Sequence, residues 1–231
     1  MKRRLVLLDI DGTILLSAGA GKRAIVAALT PEVADVAGFE GIRFDGKTDP
    51  QIVHEMLVGA GCPAPSRERI DLLCARYAGL LETELETNGH RTRVLPGIHD
   101  LIERLEAEPS VVLGLLTGNI SRGAELKLRA AGIEHNRFLL GAYGSDAAAR
   151  PELPPIAVAR AELHFGRRAA GEEIVIIGDT PADVTCGRCV GARAIAVATG
   201  SYSTAELLAA GAYAAFEDLS QTDLVMTAIL E

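Results

Sequence analysis

The chain opens on an unbroken apolar run, Leu5-Val6-Leu7-Leu8, that stops at Asp9-Ile10-Asp11-Gly12-Thr13. A run of that length bounded by a turn signal predicts a strand buried on both faces. Similar runs return much later, at 111–116, 174–177 and 192–198, with two weaker ones at 138–142 and 213–216. Between them, apolar residues recur at helical spacing over 98–106, 121–131, 154–165 and 205–210, and a further helix leads up to Val190. Strands and helices alternating through short turns predict an α/β fold with a Rossmann-like parallel sheet covered on both faces.

The stretch between the first strand and the second has a different texture. Helical spacing dominates at 22–29, 52–58 and 70–85, the breakers are Gly59, Gly61, Pro63, Pro65 and Gly89, and no strand is evident. The expected organisation is therefore a sheet domain built from 1–16 and 95–231, with a helical cap subdomain of 17–94 inserted after the first strand. Within the cap, Gly46-Lys47-Thr48-Asp49-Pro50 is a polar turn feeding a helix, with Thr48 or Asp49 able to cap it and Pro50 at its first turn. Capping accounts for that stretch, but it is also the part of the cap best suited to reach over a site and set substrate specificity through Gly46, Lys47 and Thr48.

The strand ends carry a consistent chemistry. The first strand ends in Asp9 and Asp11, the second in Thr117-Gly118-Asn119, and the 174–177 strand in Gly178-Asp179-Thr180-Pro181-Ala182-Asp183. In a parallel sheet these ends lie on one edge, where open α/β sheets bind ligands. Each group alone reads as a turn or a helix cap. Together they gather up to four carboxylates, a hydroxyl and several backbone N–H groups. Carboxylates so crowded need a cation, a shared proton or strong hydrogen bonds. Oxygen ligands without His or Cys suit a hard divalent ion, Mg²⁺ above all, and Mg²⁺ held by few carboxylates points to phosphoryl chemistry.

Composition narrows the partners. The chain has 231 residues, 48% hydrophobic and 23% charged, with a net charge of −8. That balance speaks for a globular protein and against nucleic acid or an anionic membrane. Met1-Lys2-Arg3-Arg4 imitates the start of a signal peptide, but the apolar run behind it ends too soon at Asp9, so a cytoplasmic protein is expected. Gly19-Ala20-Gly21-Lys22 invites comparison with a P-loop and fails it: Leu16 stands where the first glycine belongs, and Arg23 where Ser or Thr should follow the lysine. Cys186-x-x-Cys189 has no matching second pair and reads as two small buried helix residues.

Asp9-Ile10-Asp11-Gly12-Thr13, Thr117-Gly118-Asn119 and Gly178-Asp179-Thr180-Pro181-Ala182-Asp183 resemble the first, second and fourth motifs of the haloacid dehalogenase superfamily, specifically its phosphatases of the phosphoglycolate phosphatase type. The helical insertion resembles that family's cap. The resemblance implies a Mg²⁺-dependent phosphatase acting on a small phosphorylated metabolite. Asp9 would be the nucleophile, forming an aspartyl-phosphate. Asp11 would be the general acid and base, its backbone carbonyl also meeting the metal. Thr117, Gly118 and Asn119 would hold the phosphoryl oxygens. Asp179 would ligate the metal, with Asp183 close by or bound through water. The third motif departs from the pattern: the family's lysine is absent from 148–155, and Arg150, before Pro151, is the stand-in. Lys127 is the nearest lysine and is expected on an exposed helix face. A phosphomutase shares every core motif, and a silent phosphate-binding module shares most of them. A phosphonate hydrolase would need a cap lysine, of which only Lys22 and Lys47 exist. A dehalogenase would leave Asp11 and Asp179 without a purpose.

Overall fold

The computed structural model describes residues 3–231, apart from the side chain of His90. In chain order the first elements are β1 (Arg4–Leu8), the two-residue β2 (Leu15–Leu16), α1 (Ala20–Leu29), α2 (Asp49–Gly59), α3 (Arg67–Asn88) and β3 (Arg93–Val94). Then come α4 (Ile98–Ala107), β4 (Val111–Thr117), α5 (Ser121–Ala130), β5 (Leu140–Tyr143), α6 (Leu153–Phe165) and β6 (Ile174–Gly178). The chain finishes with α7 (Pro181–Cys186), β7 (Arg193–Val197), α8 (Thr204–Ala209), β8 (Ala214–Phe216) and α9 (Thr222–Leu230).

Six strands form one parallel sheet in the order β5-β4-β1-β6-β7-β8. β1 lies between β4 and β6, with Leu8 level with Leu115 on one side and Ile177 on the other. The chain turns one way from β1 to reach β4 and the other way to reach β6. The C-terminal end of β1 is thus the topological switch point, where a crevice opens in sheets of this kind.

The apolar run of β1 serves two cores because successive side chains point to opposite faces. Val6 and Leu8 pack with α4, α9 and the Ala124–Leu128 side of α5. Leu5 and Leu7 pack with α6 on the other face. Arg4 is buried as well: its guanidinium donates to the carbonyls of Ile229 and Leu230 at 3.0 Å each and to that of Glu172 at 3.1 Å. It caps α9, satisfying carbonyls that a helix end leaves open.

The helices α1, α2 and α3 share a separate hydrophobic cluster centred on Ile25, Leu29, Met56, Leu73, Tyr77 and Leu81. The connection to the sheet is an antiparallel ribbon, β2 with β3, pairing Leu15 with Val94 and Leu16 with Arg93. This strand between 17 and 95 was not expected: two residues are too few to show a period. The C-terminal helix α9 was likewise not anticipated. Cys186 is buried as expected, but Cys189 is exposed. The helix expected to carry both ends at Cys186, and a 3₁₀ turn over Gly187–Val190 swings Cys189 outward. Among the described residues, no helix is long and apolar enough to cross a membrane.

Candidate active site

Asp9 follows the last residue of β1 directly, its N–H bonded to the Ile177 carbonyl at 2.9 Å, so the sheet ladder fixes its position. The chain then turns sharply at Gly12, which has φ +81°. A Cβ at Gly12 would lie 2.3 Å from Asp179 Oδ2, so only glycine fits both the conformation and the space. Thr13 donates to Asp179 Oδ1 at 3.4 Å. The Thr199 hydroxyl donates to the Gly12 carbonyl.

The predicted strand-end residues meet at one edge. Asp9, Asp179 and Asp183 each offer a carboxylate oxygen, and the three lie within 4.8 Å of one another. All three are buried. Burial and the neighbouring Asp183 and Asp9 carboxylates push Asp179 up to about 9. Burial likewise pushes Asp9 up to about 6, against the opposing pull of Arg150. Asp179 thus has no compensating cation of its own. Asp183 is better served: it accepts from Thr180 N–H at 3.0 Å, from Thr180 Oγ1 at 2.6 Å and from Arg150.

Arg150 is buried and bridges two members of the cluster, standing 3.2 Å from Asp9 Oδ2 and paired with Asp183. The opposing carboxylates outweigh the cost of its burial and raise its pKa. Lys127 corrects the sequence expectation. It is buried, not exposed, with Nζ 2.6 Å from Asp11 Oδ2 and 2.6 Å from Asn119 Oδ1. The reason lies in α5, which is packed between two clusters: Ala124 and Leu128 face the sheet core while Leu126 joins the α1–α3 cluster. Burial alone would lower Lys127, but Asp11 and Asp49 more than offset it and hold the ammonium charged. The two cations are therefore divided, Arg150 with Asp9 and Lys127 with Asp11.

The Asp11 carboxylate points away from the three-acid cluster. It accepts from Lys127 and, at 2.8 Å, from Asn119 Nδ2, which also donates to Thr117 Oγ1 at 2.8 Å. The segment 43–49 lies on top of these loops. Asp49 N–H bonds the Gly118 carbonyl at 2.8 Å, Thr48 Oγ1 bonds the Ala148 carbonyl at 2.5 Å, and Asp49 Oδ2 accepts from Ile120 N–H at 2.8 Å. A Cβ at Gly118 would come within 2.1 Å of the Lys47 carbonyl oxygen. Lys47 itself is ion-paired with Glu55. Beneath this segment is a cavity of about 400 Å³, lined from below by Asp9, Asp11, Thr117, Arg150 and Asp179 and from above by Lys22, Phe44, Lys47 and Tyr77.

Sequence reading missed several of these partners. Thr13 stood in the first motif with no sign of its contact to Asp179, and Thr199 gave only an ordinary turn signal. Asp49 stood as a helix-start residue, and nothing local showed that its carboxylate would be buried against Ile120. Tyr77 looked like one more apolar position on α3.

At the switch point of the parallel sheet, under α1–α3, carboxylates and two buried cations form one polar cluster, in which Asp9, Asp179 and Asp183 have the spacing to hold a metal ion. The chain matches the family model of the haloacid dehalogenase-like hydrolases over residues 6–188 and belongs to that family. No curated protein matches it. Solved structures do. A hydrolase from Pseudomonas syringae superposes with a TM-score of 0.72 at 22% identity, covering 100% of both chains. CbbY from Rhodobacter sphaeroides, solved in complex with phosphate, gives 0.72 at 18% identity over 95% of this chain and 96% of that one. A haloacid dehalogenase-like family hydrolase, SP0104 from Streptococcus pneumoniae, gives 0.62 at 18%, covering 97% and 98%. At such identities the likeness speaks for the fold.

Proposed function

We propose that the protein is a Mg²⁺-dependent phosphatase that hydrolyses a small phosphorylated metabolite through an aspartyl-phosphate on Asp9. The observation that carries this reading is the triad of Asp9, Asp179 and Asp183 beside Arg150 at the end of β1. The donor set fits the ion: three carboxylates, no His or Cys, and one of them, Asp179, pushed up to about 9 by crowding that a cation would relieve. Asp179 is the one of the three that has no ion pair with Arg150 and is the natural direct ligand, with Asp9 and the carbonyl of Asp11 beside it. Asp183, already engaged by Thr180 and Arg150, stands behind. When bound, Mg²⁺ would neutralise the phosphoryl oxygens and the carboxylates around them.

The protein's own groups would do the rest. Asp9, held by the sheet ladder and by Arg150, attacks phosphorus while the ester oxygen leaves. Asp11 gives that oxygen a proton and afterwards takes one from the water that attacks the aspartyl-phosphate, whose O–P bond breaks to release phosphate and restore the Asp9 carboxylate and the Asp11 acid. Thr117, Gly118 and Asn119 cradle the phosphoryl oxygens, and Arg150 offsets their charge. The partly exposed Asp11, its side chain 43% accessible, faces the cavity from which the leaving group would depart. CbbY, a structural relative, is bound to phosphate, which accords with a phosphorylated ligand here. Phosphate release from an aryl phosphate, followed with and without Mg²⁺, tests the reading. Asp9→Asn should keep the fold and lose turnover by about 10⁴-fold or more, the scale on which removing a nucleophile acts. Retained turnover in that variant overturns the aspartyl-phosphate.

A further inference from the structure

α5 starts without a capping side chain of its own. Its first residue is Ser121, and the aliphatic Ile120 ahead of it makes no side-chain bond to the helix end. A helix leaves its first N–H groups open, and in a capping box a Glu or Gln at the third helical position reaches back to the N–H of the residue before the helix. Here that third position is Gly123, which has nothing to reach with. Distant residues take over. The Ser121 N–H is met by Ser145 Oγ at 3.2 Å, and the Ile120 N–H by Asp49 Oδ2 at 2.8 Å. A Cβ at Gly123 would stand 3.8 Å from that same Asp49 oxygen. The carboxylate of Asp49, buried at the start of α2, therefore makes the bond that a glutamate at position 123 would make, and its charge suits a helix N-terminus.

The Ile120 N–H belongs to the Asn119–Ile120 peptide, whose carbonyl accepts from the Gly144 N–H at 2.8 Å. With Asp49 at the N–H, that peptide is fixed on both edges. On one side of it Asn119 sends Nδ2 to Asp11 Oδ2 at 2.8 Å. On the other, α5 carries Lys127, whose Nζ lies 2.6 Å from the same Asp11 oxygen and 2.6 Å from Asn119 Oδ1. Both partners of the Asp11 carboxylate thus depend on where this one peptide sits. We propose that Asp49 is a positioning residue for the acid–base step: from α2 it caps α5 and fixes the Asn119–Ile120 peptide, so that Asn119 and Lys127 hold the Asp11 carboxylate in place. This role rests on the phosphatase reading for what Asp11 does, and on the geometry for how Asp11 is held.

Amide hydrogen exchange and turnover test this together on the whole protein. The Ile120 N–H should be protected in wild type and in Asp49→Asn, which keeps an acceptor. In Asp49→Ala its protection should fall about fivefold or more, the scale of a lost helix cap. Phosphate release from an aryl phosphate with Mg²⁺ should follow, with kcat down about fivefold or more in Asp49→Ala and within about twofold of wild type in Asp49→Asn. Gly123→Glu in the Asp49→Ala background separates capping from mere anchoring of α2. It rebuilds the capping box inside α5 without restoring any tie to residue 49, and kcat should return to within about twofold of wild type. Wild-type kcat in Asp49→Ala, an Ile120 amide no less protected there, or a folded double variant as slow as the single one each overturn the proposal. Where the double variant does not fold, equal losses in Asp49→Asn and Asp49→Ala overturn it, and a loss confined to Asp49→Ala supports it. Exchange as expected while wild type hydrolyses no ester overturns the phosphatase reading alone.

Discussion

Asp49 is buried at the start of α2, its carboxylate aimed at the Ile120 N–H from which it accepts a 2.8 Å hydrogen bond. Burial pushes it up to about 6, against the opposing effects of Lys127 and that N–H. The folded state thus holds a proton that the unfolded chain, near 3.8, has already released. For a carboxyl raised in this way, stability falls as pH rises from about 4 to about 6 and then levels off. The difference of roughly two pKa units corresponds to about 3 kcal/mol. Asp49→Asn keeps an acceptor for Ile120 and cannot ionise. Urea unfolding should find the variant about 1–3 kcal/mol more stable than wild type at pH 7, with the two alike at pH 4. A difference independent of pH would mean that Asp49 enters the folded state already ionised. At this scale the sequence was a partial guide. Asp9 and Thr117 were legible because each follows an apolar run directly, and Asp179 and Asp183 because they fall in the turn and the first helical turn behind one. The partners of Lys127 were not, since Asp11 lies 116 residues away and no local period registers a contact of that span.

α2 and the turn before it reach the sheet edge through backbone as well as through the side chains of Thr48 and Asp49. The Lys47 carbonyl passes so close to Gly118 that a methyl group there would overlap it at 2.1 Å, and the Asp49 N–H bonds the Gly118 carbonyl. Gly118→Ala should therefore lift the segment 46–49 away from the strand ends by a distance on the order of an ångström, and a misplacement of that size costs about 10²-fold in rate. Steady-state kinetics should show kcat/KM reduced on that scale, with far-UV circular dichroism unchanged because the sheet does not depend on the contact. Kinetics like those of wild type would show that the close approach is dispensable. Elements themselves were legible in proportion to their burial. β1, β4 and β6 lie between helix layers and read as uninterrupted apolar runs. β2 and β3 are two residues each, too short for any pattern, and α5 misled because it has two buried faces where an amphipathic helix has one.

On the scale of the whole molecule, three carboxylates within 4.8 Å at the centre of a chain of net charge −8 form a stored repulsion that Arg150 only partly offsets. Asp179, pushed up to about 9, is the member with least compensation. A cation that binds this cluster in the folded state and not in the unfolded chain stabilises the fold by mass action, about 2.7 kcal/mol at a hundred times its Kd. For a chain of this size that is a rise in Tm of about 5–10 °C. Calorimetric melting should show Mg²⁺ raising the Tm of wild type by this amount and a chelator reversing it. Asp179→Asn should do two things at once. It should melt higher than wild type at pH 7 without the ion, because the carboxyl must take up a proton on folding and the amide need not, and it should lose most of the Mg²⁺-dependent rise. The pairing of these opposite effects separates the cluster from the rest of an acidic surface, where screening by Mg²⁺ would raise the Tm of both proteins equally. An equal rise would therefore move the ion away from Asp179, while a variant that melts lower without Mg²⁺ would show that the three carboxylates are held together by more than Arg150 and Thr180 supply.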